Sequence, residues 1–438
     1  MAKKNAPTQV QYCEPQETKV ARYFGKPSYG AVLRISKESD TVRWHSSVAY
    51  HELLGYIGRT SIAIQGVQQQ SVRGDYPVSA TMQRLCGIFD RLLEMTASQR
   101  GVDLGGIVSV GVKQPQQQTQ YREIKRLTIV EAYRSWSRTM LRCIFGLVEQ
   151  ALPPQQCEHV AELGQYLANA FGNPTRLDYG TGHELSFLFF LCALFRIKVL
   201  LPADEPAAAL LLFQRYLKCV RRLQSQYGLN AAGFEGAYSL DDYQFVPYLW
   251  GAAQLCYDPP FQPRQLLQPA VFEQWRNDYL LAGCVAFVAE SKEGSFATHS
   301  CQLWSITTLS SWPKVYRGLH NMYLKEMLNQ FRMLRHVCFG QLMSFDPAPA
   351  SSQLTRPQLG YLSVQRQELL RLRLEGQEPL DQPKLEEREE ETESTMEQLT
   401  HSALVTDVSD SNVSGASVSV CTITKRGRLV SRCHVSGR

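Results

Sequence analysis

The segment RLDYGTGHELSF, residues 176–187, contains residue types that could bind a phosphate group. Gly180 and Gly182 can adopt positive φ angles and let a ligand approach the backbone closely. If a helix starts near His183, its free N–H groups and its dipole create a local anion site.

Two further side chains of this segment could complete such a site. Thr181 could add a hydroxyl donor, and Arg176 could neutralise a phosphate. The standard phosphate-binding patterns are absent, however, because the chain has no G-x-x-x-x-G-K-[ST], no G-x-G-x-x-G and no second histidine for H-E-x-x-H. By pattern alone, the commoner interpretation is a glycine-flanked turn that caps a buried helix, with His183 as a structural histidine.

The stretch GAYSLDDYQFVPYLWGAAQL, residues 236–255, offers paired carboxylates beside glycine-rich backbone. Ser239, followed by Asp241 and Asp242, predicts a helix start with acidic residues in the first turn. Adjacent carboxylates could also hold a divalent cation, which prefers oxygen ligands. Pro247 lies inside the predicted helix, and we expect it to kink or interrupt that helix.

Aromatic side chains are dense in this stretch and again in residues 299–328. They could line a groove, and packing in the core is the alternative that the pattern leaves open. The first set is Tyr238, Tyr243, Phe245, Tyr248 and Trp250, and the second is Trp304, Trp312, Tyr316 and Tyr323. The order of residues supports no serine–histidine–aspartate or cysteine–histidine arrangement.

Helical periodicity dominates the elements that must position these residues. Helices are predicted near 45–64, 82–93, 127–147, 157–171, 183–199, 205–227, 240–255, 271–291 and 313–334. Alternating strand-like runs are nearly absent, and the best candidate is Ile107–Val112. The run KQPQQQTQ (113–120) is typical of a flexible loop. The sequence therefore predicts a compact all-α body.

The composition is ordinary for a globular protein, but the charge is uneven. The net charge is +5 over 438 residues, whereas residues 375–397 hold ten acidic side chains against Lys384 and Arg388. An acidic tail on a basic body fits a protein that binds anions or acidic surfaces, although a solvated face is the commoner explanation. The twelve cysteines form no C-x-x-C pair, so we expect neither a zinc site nor a disulfide framework.

Targeting and membrane signals are weak. The N-terminus has no apolar h-region, and the longest apolar run, Leu185–Leu201, contains Arg196 and Lys198. We therefore expect a protein of the cytoplasm, and of the nucleus as an additional location, with neither a membrane nor a nucleic acid as partner.

The chain changes character after about Pro347. Tyr361 is its last aromatic residue, and acidic and serine-rich stretches follow. Such a segment cannot bury enough apolar surface to offset its chain entropy. We therefore divide the chain into a flexible N-terminus (1–20), an all-α domain (21–345) and a disordered tail (346–438).

Several motifs in one order resemble the phosphotyrosyl phosphatase activator family, whose members are also called protein phosphatase 2A activators. The motifs are TRLDYGTGHE (175–184), the 236–255 stretch, HSCQLWSI followed by SWPKV (299–315), AYRSW (132–136) and HVCFG (336–340). The resemblance covers roughly residues 20–345, and the tail does not match the short ending that is usual in the family.

The resemblance implies a fold with core, linker and lid subdomains and a groove between them. It implies binding of the protein phosphatase 2A catalytic subunit and phosphatase activation that depends on ATP and Mg²⁺. It also implies peptidyl-prolyl cis–trans isomerase activity on a proline-containing peptide segment.

The family's site residues carry over by position. The nucleotide contacts would be Arg176, Thr181, Gly182, Arg335 and His336. Gly236, through its carbonyl, and Asp242 would face the magnesium ion. Tyr238, Asp241 and Asp242 would be the catalytic residues, with the nearby aromatic side chains lining the groove.

The chain departs from the family pattern within residues 230–239. The family usually has Glu-Pro-Ala-Gly where this chain has NAAG, and Val-Trp-Gly-Leu-Asp-Asp where it has AYSLDD. Tyr238 offers a smaller aromatic surface than tryptophan, and Ser239 lacks the backbone freedom of glycine. We therefore expect ATP and phosphatase binding to survive better than isomerase activity. A non-catalytic helical protein that binds the phosphatase remains the alternative.

Overall fold

The computed structural model describes residues 30–69, 76–98, 115–232, 240–352, 354, 356–362, 367, 421–423 and 429–431. Helices dominate these residues, which confirms the predicted all-α class. The α-helices are α1 (Asp40–His45), α2 (Val48–Ala63), α3 (Ala80–Ser98), α4 (Pro115–Ala151), α5 (Val160–Ala168), α6 (Thr181–Arg196), α7 (Glu205–Ala207), α8 (Phe213–Tyr227), α9 (Val246–Gln254), α10 (Pro269–Trp275), α11 (Leu280–Ser291), α12 (Phe296–His299), α13 (Cys301–Ile306), α14 (Trp312–Met322) and α15 (Phe331–Leu334). Two π-helical turns, Ala208–Leu212 and Tyr323–Met327, adjoin α8 and α14.

Short strands join segments that are distant in the sequence. The strands are β1 (Val32–Leu33), β2 (Asp178–Tyr179), β3 (Asn230–Ala231), β4 (Cys338–Phe339), β5 (Cys421–Ile423) and β6 (Leu429–Ser431). β1 pairs antiparallel with β4, and β2 pairs parallel with β3. The second pair places the residues before α6 beside those after α8. The antiparallel pair of β5 and β6 belongs to a separate unit, Leu372–Arg438.

The central helix of the body is α6. Every residue from Glu184 to Leu194 is buried, because this part of the helix is apolar on nearly all sides. α2, α5 and α15 pack against α6, while α9 packs against α2, α11 and α14. A helix enclosed in this way holds both of its ends at fixed positions in the body.

Two sequence-based predictions about helix boundaries are wrong. The glutamine-rich run predicted as a loop over 113–120 belongs to α4 from Pro115 onward. Proline is well tolerated in a first helical turn, and glutamine is a good helix former, so these residues start a helix. The predicted helix start at Ser239 is also wrong, because α9 begins at Val246. Pro247 lies in the first turn of α9 and therefore does not kink it.

The sequence-based predictions about a strand and about membrane spans have different outcomes. The strand candidate Ile107–Val112 lies outside the described residues. Across the residues that the structure describes, each helix is too short or too polar to cross a membrane.

The chain continues along the helical body beyond residue 345. The carbonyl of Asp346 accepts a hydrogen bond from the N–H of Val48 at 2.8 Å, and the N–H of Gly360 donates to Oε1 of Gln65 at 2.8 Å. Leu362 is only 3% exposed. Residues 346–352 and 356–362 therefore lie against α2 and the segment that follows it, past the domain boundary placed at 345.

His320 lies in α14 close to this C-terminal segment. It is 7% exposed, its ring is 5.8 Å from that of Tyr316, and its Nδ1 has no hydrogen-bond partner in the described residues. Burial, together with the nearby guanidinium of Arg356, lowers the pKa of His320 to about 4. The fold therefore holds this imidazole in its neutral form.

This histidine should make the protein lose stability in acid. Because the folded-state pKa lies below the value of about 6.5 for an unfolded chain, the stabilisation is lost as the pH falls from about 6.5 towards 4. In His320→Phe, the loss of unfolding free energy between pH 7 and pH 4 should be smaller by up to about 3 kcal/mol. Urea unfolding at both pH values measures this difference, and an unchanged pH dependence would contradict it.

Candidate functional site

The two glycines of the first segment allow close packing of the chain. Gly180 precedes α6 with φ −174°, which is extended backbone, and a Cβ on it would lie 2.8 Å from the Cβ of Ala232. A Cβ on Gly182 would lie 3.3 Å from Met333. Neither glycine adopts the positive φ angle that its residue type allows. Instead, the missing side chains let β3 and α15 approach the start of α6.

The five predicted nucleotide contacts come together at the N-terminus of α6. Thr181 starts this helix, and its Oγ1 is 3.3 Å from Sδ of Met333 in α15. Arg335 and His336 follow α15 directly. Partial desolvation of its ring lowers the pKa of His336, and the positive charges of Arg176 and Arg335 lower it further. The structure thus gathers residues that lie up to 160 positions apart into one basic cluster, which we define as Arg176, Thr181, Gly182, Arg335 and His336.

This basic cluster is suited to an anion with several negative charges. The side chain of Arg176 is 41% exposed, and its Nε donates to Oδ2 of Asp178 at 2.7 Å, which leaves its terminal nitrogens for a ligand. Arg335 and His336 are exposed. The first N–H groups of α6 point outward from its N-terminus, which is also the positive end of the helix dipole. Backbone donors and cationic side chains together favour phosphate.

His183 has a structural role, as one interpretation of the sequence expected. Its Nδ1 lies 2.7 Å from the carbonyl oxygen of Asn169 and therefore carries the proton. Burial lowers the pKa of His183, so the ring stays neutral near pH 7. Its Nε2 lies 4.0 Å from Oδ1 of Asp178.

Glu184 links the first segment to the second, and sequence reasoning missed this link. It is 1% exposed, and its two carboxylate oxygens accept hydrogen bonds of 3.0–3.2 Å from the N–H groups of Phe245 and Val246. Burial raises the pKa of Glu184 to about 8, and these two N–H groups oppose the rise. The sequence did contain a signal for this link, because Glu184 precedes the apolar run LSFLFFL and a buried carboxyl group needs hydrogen-bond partners.

Asp241 holds the turn that leads into α9. Its Oδ1 accepts from the N–H groups of Tyr243 and Gln244 at 2.6 and 2.9 Å. Its Oδ2 accepts from the hydroxyl of Tyr248 at 2.5 Å. Aspartate favours such turns because its side chain bonds to backbone N–H groups two and three residues further on. In this structure, Asp241 therefore acts as a positioning residue.

Asp242, the predicted magnesium ligand, pairs with a lysine. Its Oδ2 lies 2.7 Å from Nζ of Lys292, which follows α11. Gly236 and Tyr238, the other residues predicted to contact the metal or the substrate, fall in 233–239, outside the described residues. In the part of the chain that the structure describes, no group of three or more histidine, cysteine, aspartate or glutamate side chains could hold a metal ion.

Most of the aromatic side chains that could have lined a groove belong to the core. Those with at most 4% exposure are Phe245, Tyr248, Trp250, Trp312, Tyr316 and Tyr323. Tyr243 is partly buried, and its hydroxyl donates to the carbonyl of Leu229 at 2.7 Å. Trp304 is 48% exposed. Among the described aromatic residues of these two stretches, Trp304 and Tyr243 are therefore the ones that a bound peptide could contact.

Comparison with known proteins identifies relatives over most of the chain. The family model described as "Phosphotyrosyl phosphate activator (PTPA) protein" matches residues 31–345. A serine/threonine-protein phosphatase 2A activator of Drosophila melanogaster is 39% identical over 330 residues, which cover 75% of this chain and 77% of that protein. Serine/threonine-protein phosphatase 2A activator 2 of Eremothecium gossypii is 31% identical over 314 residues, or 72% of this chain and 82% of that protein.

A solved structure shows the same fold. The crystal structure of the PP2A phosphatase activator Ypa1 PTPA1 matches with a TM-score of 0.59 at 26% sequence identity. The match covers 73% of this chain and 96% of that chain.

Removing the carboxylate of Glu184 should loosen the contact between α6 and the turn before α9. Glu184→Ala leaves the two buried N–H groups of Phe245 and Val246 unpaired, at a cost of about 1–3 kcal/mol for each. Glu184→Gln keeps one acceptor oxygen and should lose less stability. Denaturant unfolding measures the loss, and amide hydrogen exchange at residues 245 and 246 localises it. Equal stability of the alanine and glutamine variants would contradict this role.

Proposed function

The chain belongs to the phosphotyrosyl phosphate activator (PTPA) protein family, and on that premise we propose that it activates protein phosphatase 2A. In this proposal it binds the phosphatase catalytic subunit together with Mg-ATP.

The nine cysteines of the described residues are free thiols, which supports a reducing compartment, the cytoplasm or the nucleus, as its location.

The observation that carries the ATP proposal is the convergence of the basic cluster on the N-terminus of α6. Arg176 and Arg335 supply two permanent positive charges, and His336 can take up a third when phosphate lies beside it. Thr181 and the first N–H groups of α6 supply neutral donors. This set of donors matches the oxygen atoms of a polyphosphate chain.

The magnesium proposal rests on Asp242. Mg²⁺ is usually held by one or two carboxylates, with substrate phosphates and water completing its shell. Asp242 fits that donor set, since its present partner is another cation, the ammonium group of Lys292, at 2.7 Å. Binding of the ion would require Lys292, whose side chain is 24% exposed, to swing aside on its flexible four-carbon stem.

In the proposed activation, this protein holds the ATP phosphates and its own 240–246 turn in position. Arg176, Thr181 and Arg335 would fix the phosphates beside the phosphatase active site, while Asp241 and Glu184 keep the 240–246 turn in position. When bound, Mg-ATP supplies phosphate oxygens that can help the phosphatase to acquire its metal ions. The protein's own contribution is therefore binding and orientation.

Isomerase activity on a proline-containing peptide is the second part of the proposal. Prolyl isomerisation is opposed by a barrier of about 18–20 kcal/mol that arises from amide resonance. A groove that binds the twisted amide better than either planar form lowers this barrier without a nucleophile. Tyr238, Asp241 and Asp242 are the residues we assign to this step, with Asp241 acting through the turn that it holds.

The alternative is a helical binding protein of the phosphatase that has lost isomerase activity. The departures from the family pattern in residues 230–239 favour it, because they change the aromatic surface and the backbone next to Asp241. Isomerisation of a proline peptide, assayed alongside a pull-down of the phosphatase catalytic subunit, separates the two. Phosphatase binding without isomerisation would support the alternative.

ATP binding should depend on the basic cluster and, through magnesium, on Asp242. Loss of a charge-assisted hydrogen bond in Arg176→Gln should weaken ATP binding about tenfold. Asp242→Ala should abolish the gain in affinity that magnesium provides. Calorimetric titration of ATP with and without Mg²⁺, followed by a phosphatase activation assay, measures both effects.

Two control variants sharpen this experiment. Lys292→Ala breaks the same ion pair as Asp242→Ala but leaves the carboxylate, so it should keep the magnesium effect. Arg264→Gln removes an exposed arginine between α9 and α10 and should not alter ATP affinity. Activation of the phosphatase without nucleotide, or ATP affinity that is equal in Arg176→Gln and the wild type, would contradict the proposal.

A further inference from the structure

A cavity lies at the opposite end of α6 from the basic cluster. Its volume is about 610 Å³, within the range of about 300–1,000 Å³ that is usual for small-molecule sites. Because α6 has 16 residues, its two ends are about 24 Å apart. The cavity is therefore a separate site from the proposed nucleotide site.

The cavity has an apolar floor below a charged rim. Tyr56, Cys192 and Leu200 contribute side chains that are 1–4% exposed, and Phe195 is partly buried. Leu201, which also lines the cavity, is 54% exposed at its edge. A ligand with a hydrocarbon body could cover these surfaces.

The rim carries more positive than negative charge. Arg59 pairs with Glu205 at 3.2 Å, and Arg196 pairs with Glu52 at 2.5 Å. Each of these two ion pairs is neutral overall. Lys198, the fifth charged residue of the lining, has no ion-pair partner among the residues that the structure describes. The rim therefore has one uncompensated positive charge.

Lys198 also occupies a strained backbone position. Its φ of 58° lies in the left-handed region. The N–H of Val199 bonds to the carbonyl of Leu194, and the N–H of Lys198 bonds to that of Phe195. This is the hydrogen-bond pattern that ends many helices, and glycine is the usual residue at the position of Lys198 because it is free of strain there. A strained residue at the edge of a cavity is the kind of outlier that points to function.

We propose that this cavity binds a small organic acid with an aromatic or aliphatic body. The carboxylate of the ligand lies against the ammonium group of Lys198, and the free guanidinium nitrogen atoms of Arg196 contribute a second contact. The hydrocarbon body packs on Phe195 and Leu200.

Calorimetric titration of the full-length protein with benzoate and octanoate tests the proposal, with benzamide as the neutral analogue of benzoate. We expect at least one of the two acids to bind, and benzamide to bind at least about tenfold more weakly than benzoate if benzoate is bound. Lys198→Gly should weaken acid binding at least about tenfold, whereas Lys198→Arg, which keeps the charge, should retain it.

Thermal unfolding separates loss of binding from loss of folding. Because glycine relieves the left-handed strain, Lys198→Gly should leave the Tm unchanged or raise it by up to about 2 °C. Arg176→Gln should keep acid binding, which shows that the acids do not occupy the basic cluster. Equal acid binding by Lys198→Gly and the wild type would overturn the proposal. So would the absence of binding by both acids up to about 10 mM.

Discussion

The contact between the carboxylate of Glu184 and the N–H groups of Phe245 and Val246 is the constraint on which the candidate site depends. It joins the central helix to the start of α9. It adds a buried contact to the other links between these segments, which are the β2–β3 pair and the hydrogen bond from the Tyr243 hydroxyl to the carbonyl of Leu229. The burial of a carboxyl group is costly unless hydrogen bonds satisfy it, so this contact forms only when both segments are in place.

A second buried glutamate holds the C-terminal part of the body in a similar way. The carboxylate of Glu162 in α5 accepts from the N–H groups of Gln341 and Leu342, at 2.9 and 2.7 Å, and from the hydroxyl of Tyr166 at 2.6 Å. Gly340 is required beside it, because a Cβ there would lie 2.3 Å from the carboxyl carbon. Only Val337, β4 and Gly340 separate this anchored loop from His336, so the anchor helps to keep Arg335 and His336 near α6.

Enclosure of α6 in the core gives its two ends different chemistry. The N-terminal end offers free N–H groups and the basic cluster, which suits phosphate. At the C-terminal end the carbonyls of Leu194 and Phe195 already accept from the N–H groups of Lys198, Val199 and Leu200, and the charged side chains of the rim offer the contacts for a ligand. One buried helix thus supports both the proposed nucleotide site and the proposed acid site.

The sequence by itself determined the helical class, the family resemblance and the residues at the start of α6, because periodicity and short motifs are local properties. It could not separate the first turn of a helix from a non-helical turn at Asp241, since aspartate is favoured in both. It likewise could not distinguish core from groove for Tyr248 and Trp250. The family resemblance had placed Arg335 at one site with Arg176. Only tertiary structure decided that Glu184 reaches Phe245 and Val246, because this contact joins residues that are far apart in the chain.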